Sequence, residues 1–256
     1  MEKQQLLTIL NEIAPLSLQE EWDNSGVQID CGGKEVSRIL LALDVTNRVI
    51  DEAKREKCDM VVCHHPLLFV PVRQITPDYT VGSHILRLIK ENISVYAAHT
   101  CFDKAPGGNN DYLMKEIGCS FPEELAGGIA RIGYLDKPVT FDEFISDVNA
   151  ACGYEGLKIQ GDSDREIRKV AVCTGGGGEY LYEAYKQGAD AFVSGDIKHH
   201  DAQAAKDLGI CLIDAGHYGT EWQFVPNMAA QLRADGRFTA ELIKSESMAN
   251  PFEYTL

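Results

Sequence analysis

Residues 38–66 read RILLALDVTNRVIDEAKREKCDMVVCHHP, and this stretch decides the fold. RILLALDV (38–45) is a continuous apolar run without polar alternation, the pattern of a strand covered on both faces. NRVIDEAKREK (47–57) follows with helical spacing, and DMVVC (59–63) is a second apolar run. Strand, helix and strand in this order argue for parallel neighbours. SHILRLIKEN (83–92) then reads as a helix and ISVYAAH (93–99) as a third strand. The expectation is an α/β fold with mixed, largely parallel sheets.

The second half repeats the scheme. RKVAVCT (168–174), DAFVSG (190–195) and ICLIDAGH (210–217) read as strands; EYLYEAYKQG (179–188) and AQAAKDLG (202–209) read as the helices between them. A shift of 131 residues superposes Ile39 on Val170, Asp59 on Asp190 and Val62 on Val193. This predicts two α/β domains of related topology, produced by duplication or by two ordinary βαβ units of similar pattern. Residues 127–160 read as strand, helix and strand, with Thr140 and Glu143 as a capping box. WQFVPNMAAQLRAD (222–235) reads as a helix kinked or started late at Pro226, and FTAELIKSE (238–246) as a last strand. The expected division is 1–124 for the first half, 125–215 for the second, and 216–256 as a segment returning to the first.

Composition removes several classes of function. With 24 basic against 39 acidic residues, a net charge of −15, and no Lys/Arg-rich run, nucleic acid is a disfavoured partner. No stretch approaches the length of a membrane span, and MEKQQLLTILNEIAP (1–15) looks like an amphipathic helix rather than a signal peptide. The eight cysteines include no CxxC pair, which suits small buried hydrophobes in a reducing compartment. Together these predict a cytoplasmic protein.

Chemistry-bearing residues collect where parallel strands end. In such sheets ligands bind beyond the carboxyl ends of the strands. His64-His65, His99 with Asp103, His199-His200, and His217 with Glu221 all stand at such ends, six of the seven histidines. Adjacent histidines on a regular strand point to opposite faces, but a chain turning into HHP aims both into one crevice. Neutral imidazoles with carboxylates suit divalent Zn, Fe, Mn, Co or Ni. Any one of these histidines alone reads as a hydrogen-bonded, partly buried residue; the recurrence carries the metal reading.

Three further stretches have a functional and a structural reading. CTGGGGEY (173–180) puts Gly175, Gly176, Gly177 and Gly178 between a strand and a helix, either as an amide cradle for an anion or as a turn for close packing. WDNSG (22–26) is a turn in which Asp23 or Asn24 bonds nearby backbone, with a role in orienting a metal cluster as the alternative. DKAPGGNNDYL (103–113) opens a helix that Asn110 or Asp111 would cap.

WDNSGVQ, VVCHHPLLF, AAHTCFDKAPGGNNDYL, CTGGGGEYL, GADAFVSGDIKHHDA and DAGHYGTE, in this order across residues 20–225, resemble the NIF three-like family, the type 2 homologues of GTP cyclohydrolase I. The resemblance implies two interlocked α/β domains, in the compact form without an inserted domain. It implies two divalent ions, Mg included among the candidates, held by His64, His65, Asp103, His217 and Glu221, with Glu221 bridging. His99 would then stand beside the centre as a proton shuttle or supporting residue, so His99 and Glu221 are the expected catalytic groups. The implied activity is hydrolysis of a small molecule, a nucleotide among the candidates, by a metal-bound hydroxide. For a triphosphate, the glycine loop and Arg131 would supply the anion contacts. A ring-shaped homohexamer is the implied assembly. The alternatives are a non-catalytic metal-binding or delivery protein and a phosphoesterase.

Overall fold

A computed structural model describes residues 1–153 and 156–253. Tyr154 and Glu155, at the turn expected between the helix and strand of segment 127–160, and the last three residues of the expected C-terminal segment lie outside the described residues. The chain forms two units: Met1–Ala105 with Phe224–Ala249, and Pro106–Gln223 joined by the chain from Asn250 on.

The first unit contains α1 (Lys3–Ile13), β1 (Gly26–Ile29), β2 (Arg38–Ala42), α2 (Asn47–Arg55), β3 (Met60–Cys63), α3 (Thr80–Lys90), β4 (Ser94–Ala97) and α4 (Thr100–Lys104). The second contains α5 (Asn109–Glu116), β5 (Cys119–Leu125), β6 (Ala130–Thr140), α6 (Phe141–Cys152), β7 (Lys158–Gln160), β8 (Glu166–Gly176), α7 (Leu181–Lys186), β9 (Ala191–Gly195), α8 (His199–Leu208), β10 (Cys211–Asp214) and α9 (His217–Glu221). The chain then returns to the first unit through α10 (Phe224–Ala234) and β11 (Glu241–Lys244).

The parallel strands number four in the first unit, where β11 lies parallel on β2, and three in the second. The first sheet runs β1-β4-β3-β2-β11, and the second β5-β6-β8-β9-β10-β7. In the first, β2, β3 and β4 are parallel and β1 lies antiparallel on β4. In the second, β8, β9 and β10 are parallel and β7 lies antiparallel on β10. Continuous burial of LLA, MVVC and SVYA is what a sheet with helices on both faces requires. On one face of the first sheet, Leu40, Val61 and Val95 pack with Ile50 and Ala53 of α2 and Leu88 of α3. In the second, Val172, Val193 and Ile213 pack under Phe144 and Val148 of α6, while Phe192 and Leu212 on the opposite face meet Leu181 of α7 and Ala205 of α8.

One side-chain device occurs in both units. Asp59 Oδ2 accepts the backbone N–H of Ser37 (2.7 Å) and Arg38 (2.9 Å), tying the start of β3 to the start of β2. Asp190 Oδ2 does the same for Arg168 (3.0 Å) and Lys169 (2.9 Å) at β9 and β8. The equivalent residues are offset by the 131 positions read from the sequence, so the internal likeness extends to individual hydrogen bonds.

Several boundaries differ from expectation. The first crossing falls at 105/106 rather than 124/125, because α5 packs on β5, β6 and β8 and β5 pairs with β6. The return falls at 223/224 rather than 216, because α9 packs on β8 and β9 and stays with the second unit. Pro226 marks a late start: it is the third residue of α10, where its missing N–H has no intrahelical acceptor to lose. His199 and His200 are the first residues of α8, both exposed, rather than the end of β9. The Thr140–Glu143 capping box is present. Gly108, not Asn110 or Asp111, is the N-cap of α5; buried Asn110 instead donates to Ile129 O (3.1 Å) and accepts Thr174 N–H (2.9 Å). No described helix is long and apolar enough to cross a membrane.

Candidate metal centre

The paired histidines of the first unit follow from how β3 ends. The N–H groups of His64 and His65 both donate to Leu43 O, at 3.2 and 3.0 Å. Two successive amides on one acceptor turn the chain out of the pleat, so the rings do not alternate. Their centroids lie 5.0 Å apart with planes tilted by 48°. His99 arrives from β4 as the N-cap of α4, and its ring lies 5.1 Å from that of His64 and 5.6 Å from that of His65. Ring nitrogens of these three lie within 4.8 Å of one another. Asp103, one helical turn beyond His99 and buried, brings Oδ1 to 3.6 Å from His64 Nε2.

Each ring is held through Nδ1. His64 Nδ1 lies 2.8 Å from Ala98 O, His65 Nδ1 2.7 Å from Asp44 Oδ1, and His99 Nδ1 2.8 Å from Asp23 Oδ1. A carbonyl or carboxylate oxygen accepts, so Nδ1 carries the proton and Nε2 is the nitrogen each ring can offer a metal. Asp23 accepts four further hydrogen bonds, from Asn24 N–H, Ser25 Oγ, and Thr100 N–H and Oγ1. Burial alone would raise its pKa; bonds from His99, Thr100 and Ser25 outweigh burial and hold it well below the usual carboxylate range. The Asp-Asn-Ser-Gly turn is therefore more than a turn: it fixes the tautomer of His99.

In the second unit the same logic recurs on α9. His217 Nε2 lies 3.0 Å from Glu221 Oε2 one turn later, and its Nδ1 lies 2.8 Å from Asp196 Oδ2. Glu221 is 2% exposed, a carboxylate withdrawn from water beside an imidazole. Glycine makes room for this pair. A Cβ on Gly175, whose φ is +70°, would stand 2.3 Å from Glu221 Oε1 and 3.4 Å from His217 Cε1. One on Gly195 would stand 2.5 Å from the backbone at Gly216 and His217.

Of the two readings of Gly175, Gly176, Gly177 and Gly178, anion cradle or closely packed turn, the contacts favour the turn. Gly175 N–H donates to Thr220 Oγ1 and Gly177 N–H to Ser194 Oγ, both at 2.9 Å, and Gly176 pairs with Gly195 in the β8–β9 ladder. A Cβ on Gly177 would meet Cys173 Cβ at 2.4 Å, and one on Gly178 would meet Asp201 Oδ2 at 2.6 Å. The run packs a strand, a turn and a helix closely, and two of its amides are already bonded inside the protein. Arg131 is also committed: it is 3% exposed, pairs with Asp111 through Nε (2.5 Å), and donates to Gly128 O and Ala130 O.

The described residues thus place His64, His65, His99 and Asp103 together in one unit and His217 with Glu221 in the other. His199 and His200 join no metal-ligand cluster among the described residues. His84 is buried in α3, and burial lowers its pKa. The thiols nearest the histidines are not thiolates: burial pushes Cys63 up and Cys101 up to about 11. Sequence reasoning missed Asp44 and Asp196. Both follow parallel strands, where carboxylates orient ligands, and that position was the available signal.

A family model described as Duf34/NIF3 (NGG1p interacting factor 3) matches residues 1–251. A Clostridium perfringens relative named GTP cyclohydrolase 1 type 2 homolog is 34% identical over 261 residues, covering 99% of this chain and 100% of that one. A Helicobacter pylori relative named GTP cyclohydrolase 1 type 2 is 29% identical over 253 residues, 97% of each chain. Among solved structures, a Staphylococcus aureus hypothetical protein is similar with a TM-score of 0.91 and 28% identity, covering 100% of this chain and 99% of that one. A Bacillus cereus protein related to NIF3 shares the fold at a TM-score of 0.91 and 24% identity, with the same coverage.

Proposed function

Because the chain belongs to the Duf34/NIF3 family, we propose that it is a divalent-metal-dependent hydrolase of a small molecule. His64, His65, Asp103, His217 and Glu221 would hold two ions. One observation carries this reading. Every imidazole in the set commits Nδ1 to an acceptor, and a buried carboxylate, Asp103 or Glu221, stands beside Nε2 of His64 or His217. Mixed neutral nitrogen and carboxylate donors, with the imidazoles braced from behind, fit Zn, Fe, Mn, Co or Ni, and the set leaves the choice among these and Mg open.

Divalent ions bound there would supply Lewis acidity and make water acidic near neutral pH. The chain's own contribution is orientation and proton transfer. Asp44, Asp196 and the Ala98 carbonyl keep the ligands in one tautomer. His99, with Asp23 on its Nδ1, is the group that would take and return a proton at Nε2. A cytoplasmic ring-shaped homohexamer is part of the same proposal, testable by light scattering in solution.

A nucleotide remains the leading substrate class because relatives carry GTP cyclohydrolase names. The internal use of the glycine amides and of Arg131 argues against those groups gripping a triphosphate, and it keeps a second reading in view: a metal-binding or delivery protein without turnover. Product analysis on metal-loaded and chelated protein, with GTP, guanosine and generic phosphate esters as substrates, separates the two. Metal-dependent turnover lost in Glu221→Gln supports the hydrolase. Full metal loading without turnover of any of them supports the carrier.

A further inference from the structure

Beside His99 stand two aromatic side chains to which the metal reading gives no role. The largest aromatic rings of the core, Phe102, Phe141, Phe144, Phe192 and Phe224, are fully buried, whereas Trp22 is 58% and Phe69 48% exposed. Trp22 and Phe69 have centroids 6.0 Å apart at 79°; Trp22 and His99 are 6.1 Å apart at 73°; Phe69 and His99 are 5.9 Å apart at 89°. Three rings meeting pairwise near right angles form a corner with aromatic walls, and the third wall is the imidazole that neighbours His64 and His65.

The corner is rigidly supported. Asn24 Nδ2 donates to Leu68 O (2.8 Å), joining the turn that carries Trp22 to the loop that carries Phe69. Gln28, itself 9% exposed, spans the same two segments: its Oε1 accepts Leu68 N–H (3.1 Å) and its Nε2 donates to Asn24 O (2.6 Å). Asp23, between Trp22 and Asn24, is fixed by its five hydrogen bonds. Exposed aromatic rings on braced backbone keep their apolar faces in water at a fixed angle, which is what ring recognition requires and core packing does not.

We infer that Trp22 and Phe69 form the wall on which a planar heteroaromatic ring of the substrate stacks, presenting that ring to His99. The inference rests on the hydrolase reading and names its substrate class. Aromatic faces also attract cations, but a cationic substrate would be repelled by two divalent ions beside it. A neutral or anionic heterocycle is not. Stacking supplies affinity without phosphate contacts, consistent with the glycine amides and Arg131 being committed elsewhere.

The chain has two tryptophans, so a Trp222→Phe variant makes Trp22 the sole indole reporter. Guanosine titrated into this protein after chelation should quench its fluorescence saturably. Phe69→Ala in the same background should weaken the apparent affinity about five-fold or more. In the otherwise native chain, Trp22→Phe should abolish the saturable part, a comparison that stands even where Trp222→Phe fails to fold. Absence of saturable quenching, an effect unchanged by Trp22→Phe, or equal quenching by ribose 5-phosphate or tetramethylammonium would overturn the assignment. Because the titration is metal-free, its failure is separate from failure of the metal centre. The latter would appear as unaltered stacking in a protein that binds no metal.

Discussion

Asp44 holds His65 from behind: its Oδ1 lies 2.7 Å from the ring's Nδ1, so the nitrogen facing away from Asp44 is the one a metal can use. The carboxylate side chain is 47% exposed, and its main structural engagement is with that imidazole. Asp44→Asn should therefore leave the fold intact and lower metal affinity about 10- to 100-fold, the usual effect of removing an outer partner of a histidine ligand. Competition titration against a chromophoric chelator, beside circular dichroism, reads both quantities. Asp196→Asn should act in the same way through His217.

Gly175→Ala should be damaging for two separable reasons. Its φ of +70° disfavours any side chain, and the added Cβ would fall on the Glu221 carboxylate. Gly188 has φ +79° with nothing within 4 Å of its would-be Cβ. Gly188→Ala thus measures backbone strain alone, about 1–2 kcal/mol. Gly175→Ala should exceed it in urea denaturation and also lose bound metal, which Gly188→Ala should retain.

Glu52 ties the chain after β11 to α2. Its carboxylate accepts Ser245 Oγ (2.5 Å) and the N–H groups of Glu246 (3.0 Å) and Ser247 (3.2 Å). Burial would push this carboxyl up, but these hydrogen bonds prevail and hold its pKa below the ordinary range. A depressed folded pKa means the contribution is present above the unfolded value, about 4.3, and is lost as pH falls through the lower folded one. Glu52→Gln should cost about 1–3 kcal/mol at neutral pH. The gap between the two proteins should narrow below about pH 4.3. A gap independent of pH would contradict the assignment.

Asp59 and Asp190 should cost similar amounts when removed, since each accepts two backbone amides at the equivalent strand start. Each Asp→Ala variant should lose about 1.5–3 kcal/mol per charged acceptor by chemical denaturation. A large loss in one and none in the other would deny that the two halves share this device.

Parallel strands were legible because LLA, MVVC and AFV are apolar throughout, and strand-end histidines were legible because so few other positions carried any. The unit boundary was not legible. β5, CSFPEEL, is mostly exposed, contains Pro122 and has a register shift, so its pairing with β6 left no period-2 signal. The glycine run kept two readings in the sequence because four glycines look alike whether their amides face an anion or Thr220 and Ser194. The roles of Asp44 and Asp196 depend on which nitrogen of each histidine faces them, which spacing does not encode.

Metal content per chain, by elemental analysis of gently purified protein beside His65→Ala and Glu221→Ala, tests the central claim most directly. The account predicts close to two divalent ions in the wild type and a sharp fall in both variants with the fold retained. No bound metal, or a content indifferent to both substitutions, would contradict it and return the paired histidines to a structural role.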